Sequence, residues 1–255
     1  MTLAASLLPL LPGGVGVIAF VGAGGKTTAL FCLGAELAAE GRRVLLTSTT
    51  HLMDPRGEAA RPPLTLVLQA ELEAPPGACE LPEAVPGLTV LMARPAAEPG
   101  KLKGVHPDWV PALKASWDFV LVEADGSRRL PLKAPADHEP VLPPGTDLVV
   151  GVVGLSSLGR PLDGRTVHRP ERFCEVSGCA LGEPLTWDHV VALAHHPQGL
   201  FKDAPGPRVM LFNQADQATS LPTERQLVEL PADRVLLTTL APDIRILALG
   251  PGRRP

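Results

Sequence analysis

VGVIAFVGAGGKTT, Val15–Thr28, runs from an apolar, partly β-branched stretch straight into three glycines, a lysine and two hydroxyls. The apolar run Val15–Val21 reads as a buried strand. Thr27–Glu40, with Glu36 and Glu40 as its only charges, reads as a mostly buried helix stopped by Gly41. After a very short link, Arg43–Ser48 is a second apolar strand. Strand, helix and strand joined this tightly make a βαβ unit, and hence parallel strands. A glycine turn at such a strand-to-helix junction presents unpaired backbone N–H groups and a helix N-terminus, which together favour polyphosphate. The usual loop of this kind, G-x-x-x-x-G-K-[ST], needs a glycine five places before Gly25, and Phe20 stands there.

A shorter form, G-x-x-G-K-[ST], fits Gly22-Ala23-Gly24-Gly25-Lys26-Thr27 and resembles the loop of the Mur-type ATP-dependent ligases. In this form Gly22, Ala23, Gly24, Gly25 and Thr28 belong to the phosphate cradle, Lys26 reaches the terminal phosphates, and Thr27 ligates Mg²⁺ through its hydroxyl. FVLVEADGS, Phe119–Ser127, is a buried strand that ends in Glu123 and Asp125. A phosphate-loop enzyme places there the carboxylate that holds Mg²⁺ through water. Glu123 is the favoured metal-side acid, Asp125 orients water, and Gly126 lets a backbone N–H approach the γ-phosphate. The E-x-x-G spacing resembles that of GTPases acting as metal and cofactor chaperones. In VMLFNQAD, Val209–Asp216, Asn213 and Asp216 resemble the guanine-reading N-K-x-D motif, but Gln214 replaces the lysine. The nucleotide is therefore GTP or ATP, with Asp216 tilting the choice to GTP. TSTTH, Thr47–His51, ends the second strand on the carboxyl edge where ligands bind in open α/β sheets. Thr49 or Thr50 there can contact Mg²⁺ or phosphate, and His51 reads first as a structural hydrogen-bond partner.

A chain of 255 residues, 45% hydrophobic, can bury a substantial core. A net charge of −4 and 4% aromatics with no tyrosine argue against nucleic acid as a partner. The N-terminal segment lacks a positive n-region, and Pro9, Pro12 and nearby glycines break its apolar run, so neither a secretory signal nor a membrane span is expected. A short helix over about Leu3–Leu11 is. Cys32, Cys79, Cys174 and Cys179 show no CxxC spacing, and reduced cytoplasmic thiols are the default. The spacing of Cys174 and Cys179, with histidines nearby, is a weak zinc pattern.

Further strands are expected at Leu64–Leu68, Leu88–Met92, Phe119–Glu123, Asp147–Val153, Arg208–Phe212 and Arg234–Thr238. Helices are expected at Asp108–Ala115, at Thr186–His196 with Thr186 as cap, and near Thr223–Glu229. Asp54–Pro63 reads as a loop within an irregular insertion at about 54–107. The sum is a single α/β domain over 1–255, doubly wound around a mainly parallel sheet of P-loop NTPase type. Proline-rich loops carry Lys133, Asp137, His138, Glu139, His168, Arg169, Glu171, His195, His196 and Lys202 as a possible substrate or partner surface. There is no G-x-S-x-G elbow and no H-E-x-x-H.

VGAGGKTT, TSTTH, VEADGSRRLPLKAPADHEP, VVGLSSLGRPL, VHRPE, HHPQGLFKDAP and LFNQAD, in this order, closely resemble the YqeC family, described as selenium-dependent hydroxylase accessory proteins. The resemblance implies a cytoplasmic nucleotide-binding protein whose client is a molybdenum hydroxylase or its cofactor-maturation machinery. An NTPase that gates cofactor delivery is the leading reading. An ATP-dependent ligase or kinase-like transferase, with an acceptor pocket from Lys133, His138 and Arg169, is one alternative. A module that holds nucleotide without hydrolysing it is the other.

Overall fold

The computed structural model describes residues 1–57, 64–76, 81–240 and 245–251. Cys79 and the part of the Asp54–Pro63 loop from Glu58 onward lie outside the described residues. In chain order the elements are α1 (Leu3–Leu7), β1 (Gly16–Gly22), α2 (Lys26–Ala39), β2 (Val44–Ser48), β3 (His51–Met53), β4 (Thr65–Leu68), β5 (Thr89–Pro95), β6 (Lys101–Lys103), α3 (Trp109–Lys114) and β7 (Phe119–Glu123). They continue with β8 (Leu132–Lys133), β9 (Leu148–Gly154), β10 (Val167–His168), α4 (Pro170–Ser177), α5 (Trp187–His195), β11 (Arg208–Asn213), α6 (Glu224–Val228), β12 (Arg234–Thr239) and β13 (Arg245–Pro251). This is the α/β, mainly parallel, doubly wound architecture of P-loop NTPase type that the sequence leads one to expect.

The chain divides into two compact units. The first comprises Met1–Phe20, Thr27–Gly126 and Val141–Leu148. In it β1, β7, β2 and β5 run parallel in that order, and β4 pairs with β5. The βαβ connection from β1 through α2 to β2 therefore leaves room for β7 between its two strands. β6 and β3 add antiparallel pairs at the far end. Val17, Leu45, Val90, Val120 and Val122 pack with Trp109, Val110, Leu113 and Trp117 into one apolar cluster. Each such aliphatic side chain contributes about 1.5–3 kcal/mol by leaving water. Trp109 joins the cluster without an orphaned donor, because its indole N–H donates to the Ala74 carbonyl at 2.6 Å.

The second unit comprises Val21–Lys26, Ser127–Pro140 and Val149–Pro255. β9, β11 and β12 are parallel, and β13 pairs with β12 in the antiparallel sense with an irregularity between Leu237 and Thr238. β8 and β10 form a separate parallel pair that sets Lys133 opposite His168.

The helices end where local chemistry requires. Gly41 stops α2 in the left-handed region (φ 79°), donating to the Ala38 carbonyl at 2.8 Å. Thr186 caps α5 in a box with His189. The N-terminal helix is shorter than the expected Leu3–Leu11: α1 stops at Leu7 and a 3₁₀ turn takes Leu8–Leu10. Pro9 has no N–H to give to the α-helical ladder, so the helix tightens into the 3₁₀ turn there. α4 was not foreseen, although Pro170 at its start and Gly178 (φ 73°) after its end are the ordinary signals.

Candidate functional site

The glycine loop is shaped by its own main chain. Gly22, Gly24 and Gly25 have φ of 92°, 86° and 134°, which a residue with a side chain rarely adopts. All three positions also allow no Cβ on steric grounds, and one on Gly22 would lie 2.3 Å from the Val152 carbonyl oxygen. A Cβ on Gly24 would lie 2.3 Å from the Gly154 nitrogen, and one on Gly25 would lie 2.3 Å from Asn213 Nδ2. The amide of Ala23 donates to the Val152 carbonyl at 2.9 Å, and that of Gly24 to the Leu130 carbonyl at 3.1 Å. These two N–H groups fix the loop rather than face an anion. The loop runs straight into the first turn of α2, whose amides a helix cannot pair with its own carbonyls. That turn carries Lys26, Thr27 and Thr28.

Lys26 is 2% exposed, and its ammonium donates to the Gly22 carbonyl at 2.7 Å, folding the side chain back over the loop. Thr27 follows it by one peptide bond. The Thr27 hydroxyl donates to Glu123 Oε2 at 2.7 Å. Register puts Glu123 there: it is the partner of Phe20 in β1 on one side and of Ser48 in β2 on the other. The main chain is held equally firmly, since Thr49 N–H and the Ser48 hydroxyl both donate to the Glu123 carbonyl, at 3.1 and 2.8 Å. Glu123 is 6% exposed and Asp125 2% exposed, so two carboxyls are buried at the carboxyl end of β7. Beside them, a Cβ on Gly126 would meet nothing within 4 Å, so packing does not demand glycine there. Thr49 donates its hydroxyl proton to the Val141 carbonyl at 2.7 Å, and Thr50 lies 3.4 Å from the Ser48 hydroxyl. His51 is exposed and starts β3, opposite Lys103. The oxygens of Thr27 and Glu123 are hard donors that suit Mg²⁺, which prefers few protein ligands and keeps several waters.

Asn213, at the end of β11, binds the same loop from its other side. Its Nδ2 donates to the Gly24 carbonyl at 2.8 Å, and its Oδ1 accepts the Leu240 N–H at 3.1 Å. Gln214, in the left-handed region, accepts the Ser156 hydroxyl at 2.6 Å. Asp216 is exposed, and its Oδ1 lies 3.4 Å from the Thr239 hydroxyl. Sequence reasoning missed Gly154, Ser156 and Leu240 as parts of this frame. The run VVGLSSLG, which carries two of them, was the available signal.

Around Lys133 the charges form a closed set. Its ammonium donates to Glu139 Oε2 at 2.7 Å, and Arg169 forks onto both carboxylate oxygens at 2.7 and 3.2 Å. Burial pushes the Glu139 carboxyl up, but the Lys133 ammonium and the Arg169 guanidinium outweigh it and hold the carboxyl at about 2. Burial pushes His168 down to about 4, helped by Arg169, Lys133 and Arg128. Lys202 donates to the Asp137 carbonyl at 2.5 Å, while His138 is exposed. Lys133 and Arg169 thus shape the 133–140 turn rather than line an open acceptor pocket with His138.

A family model described as YqeC protein matches residues 18–171 of this chain. The chain belongs to the YqeC family. An Escherichia coli (strain K12) protein named "Uncharacterized protein YqeC" is 37% identical over 221 residues, covering 84% of this chain and 81% of that one. No solved structure matches. The family match takes in the glycine loop, Thr49, Glu123, Asp125 and the Lys133–Glu139–Arg169 set, whereas Asn213 and Asp216 lie beyond it. Among the described residues, no helix is long and apolar enough to cross a membrane.

Proposed function

We propose that this YqeC-family chain binds a Mg²⁺–nucleotide, GTP or ATP, and hydrolyses it while assisting maturation or cofactor insertion in a molybdenum hydroxylase, selenium-dependent or not. One observation carries the nucleotide part: the Thr27 hydroxyl on the Glu123 carboxylate at 2.7 Å, next in the chain to a lysine folded over a loop of three positive-φ glycines. In this reading Thr27 and Glu123, with Thr49, would hold Mg²⁺, which would neutralise charge on the phosphates, and Lys26 would leave the Gly22 carbonyl for the β- and γ-phosphates. The first-turn amides of α2 and the Thr28 side complete the cradle. Asp125 orients the attacking water and the open space at Gly126 admits the γ-phosphate. Asn213 keeps the loop in register with the β11 end, from which Asp216 reads the base; guanine offers its carboxylate two donors that adenine lacks. The accessory role and the cytoplasmic setting rest on the family resemblance.

Equilibrium titration of the purified chain with labelled GTP and ATP, with and without Mg²⁺, tests the reading. Saturable binding that Mg²⁺ strengthens and Lys26→Ala abolishes is the expected result. No binding of either nucleotide at millimolar concentration overturns it.

A further inference from the structure

The geometry points to a transition-metal site, best suited to Zn²⁺, formed by Cys179, Glu183 and His189 in the second unit. One ligand atom from each lies within 4.8 Å of the others, and the three residues come from different pieces of local structure. Cys179 directly follows Gly178, the left-handed residue that ends α4. Glu183 belongs to the turn that follows, and His189 is the third residue of α5. Nothing in this placement concerns the glycine loop, so the inference stands apart from the nucleotide reading.

The donors form a set that few roles other than metal ligation would bring together. A thiol, an imidazole and a carboxylate are the soft, intermediate and hard members of the Zn²⁺ ligand list. Zn²⁺ bonds of about 2.0–2.3 Å at tetrahedral angles separate ligands by roughly 3.5 Å. The observed limit of 4.8 Å is therefore closed by about 1 Å of side-chain rotation, without moving the main chain.

The main chain is already held in place. The Cys179 N–H donates to the Ser177 hydroxyl at 3.2 Å. Glu183 N–H donates to the Ala180 carbonyl at 3.0 Å, and Gly182 (φ 81°) makes the turn between them. The turn is tied to Leu162 on both strands, Leu162 N–H to the Glu183 carbonyl at 2.8 Å and Gly182 N–H to the Leu162 carbonyl at 2.9 Å. The Thr186 N–H donates to His189 Nδ1 at 3.2 Å and its hydroxyl lies 3.1 Å from the same nitrogen, so the start of α5 fixes the ring's orientation. In the metal-free state the side chains have weaker partners. The Cys179 thiol makes long contacts to the Ala180 and Glu183 carbonyls, at 3.7 and 4.0 Å, and Glu183 Oε2 accepts the Ala180 N–H at 2.9 Å. Metal binding exchanges these for ligand bonds and releases the thiol proton to solvent. Cys179 is buried and Glu183 exposed, so the metal has protein on one side and water on the other. Three protein ligands leave the fourth position to water or to an incoming donor.

The test uses the full chain, reduced and stripped of metal, without nucleotide, titrated with Co²⁺ as an optical probe and then with Zn²⁺ in competition. The expected result is one equivalent per chain, a thiolate-to-cobalt charge-transfer band, and displacement of that band by Zn²⁺. Cys179→Ser should abolish the band. His189→Gln keeps a capping-box residue at the third position of α5, so the fold is retained. It should nevertheless weaken Co²⁺ binding by more than about tenfold, the range lost even when outer-shell partners are removed. Thermal melts of both variants confirm folding. No charge-transfer band in the wild-type chain, or an unchanged band and stoichiometry in folded Cys179→Ser, overturns the proposal.

Discussion

The glycine loop and the turn around Glu139 both hold buried ionisable side chains in the second unit, but different forces fix their shapes. At Glu139 the side chains do it: a carboxylate that is 6% exposed takes Lys133, 1% exposed, and the fork of Arg169. At the glycine loop the main chain does it, through three left-handed glycines, two amide-to-carbonyl bonds and the Asn213 side-chain clamp. A neighbourhood closed by charge serves as scaffold. A loop closed by main-chain bonds, with its lysine on the Gly22 carbonyl, is the one to which the proposed function assigns the ligand.

The contrast is broken most severely at Glu139. Glu139→Ala leaves Lys133 and Arg169 without their shared carboxylate, and removing one partner of a buried pair costs about 3–5 kcal/mol. Urea unfolding should show that loss, with the remaining nucleotide affinity of the folded fraction nearly unchanged. Asn213→Ala comes next. It strips the Gly24 carbonyl and the Leu240 N–H of partners, worth about 1–3 kcal/mol for each buried group. Here nucleotide affinity should fall along with stability, because the clamp shapes the loop itself.

The pH response sharpens the same distinction. Glu139 is held at about 2 against a usual 4.5, so its stabilisation is complete above about 4.5 and is lost as pH falls toward 2. His168 is held at about 4 against 6.5, so between those values the unfolded chain binds the extra proton and stability falls as pH drops. Melting temperature should therefore decline from about pH 6.5 downward, and His168→Gln should remove the upper part of that decline while leaving the part below 4.5. The smallest effect is expected at exposed Asp216. Asp216→Asn should weaken GTP by several-fold and leave ATP and stability alone, as measured by parallel titrations; equal loss for both nucleotides would refute base reading.

The loop was legible in the sequence because its determinants are local: an apolar run, glycines, Lys-Thr and a helix within Val15–Glu40. β7 and β11 were legible for the same reason, and their ends carry Glu123 and Asn213. The order of strands was not, since β7 entering between β1 and β2 depends on pairing between residues about 75 to 100 positions apart. Nor was the Glu139 set, whose partners are 6 and 30 residues away. The two-residue strands β8 and β10 carry too few residues for any periodicity to show. At Cys179 the sequence drew the eye to Cys174, but the fold supplies Glu183 and His189 as the neighbours instead.

The central claim is that Thr27 and Glu123 jointly hold a cation against a bound nucleotide. It is tested most directly by measuring the gain in nucleotide affinity that Mg²⁺ confers on the wild type, Thr27→Ala, Glu123→Gln and the double variant. The account predicts a clear gain in the wild type, little in either single variant, and no further loss in the double. A wild-type affinity indifferent to Mg²⁺, or a gain that survives in the double variant, would contradict it.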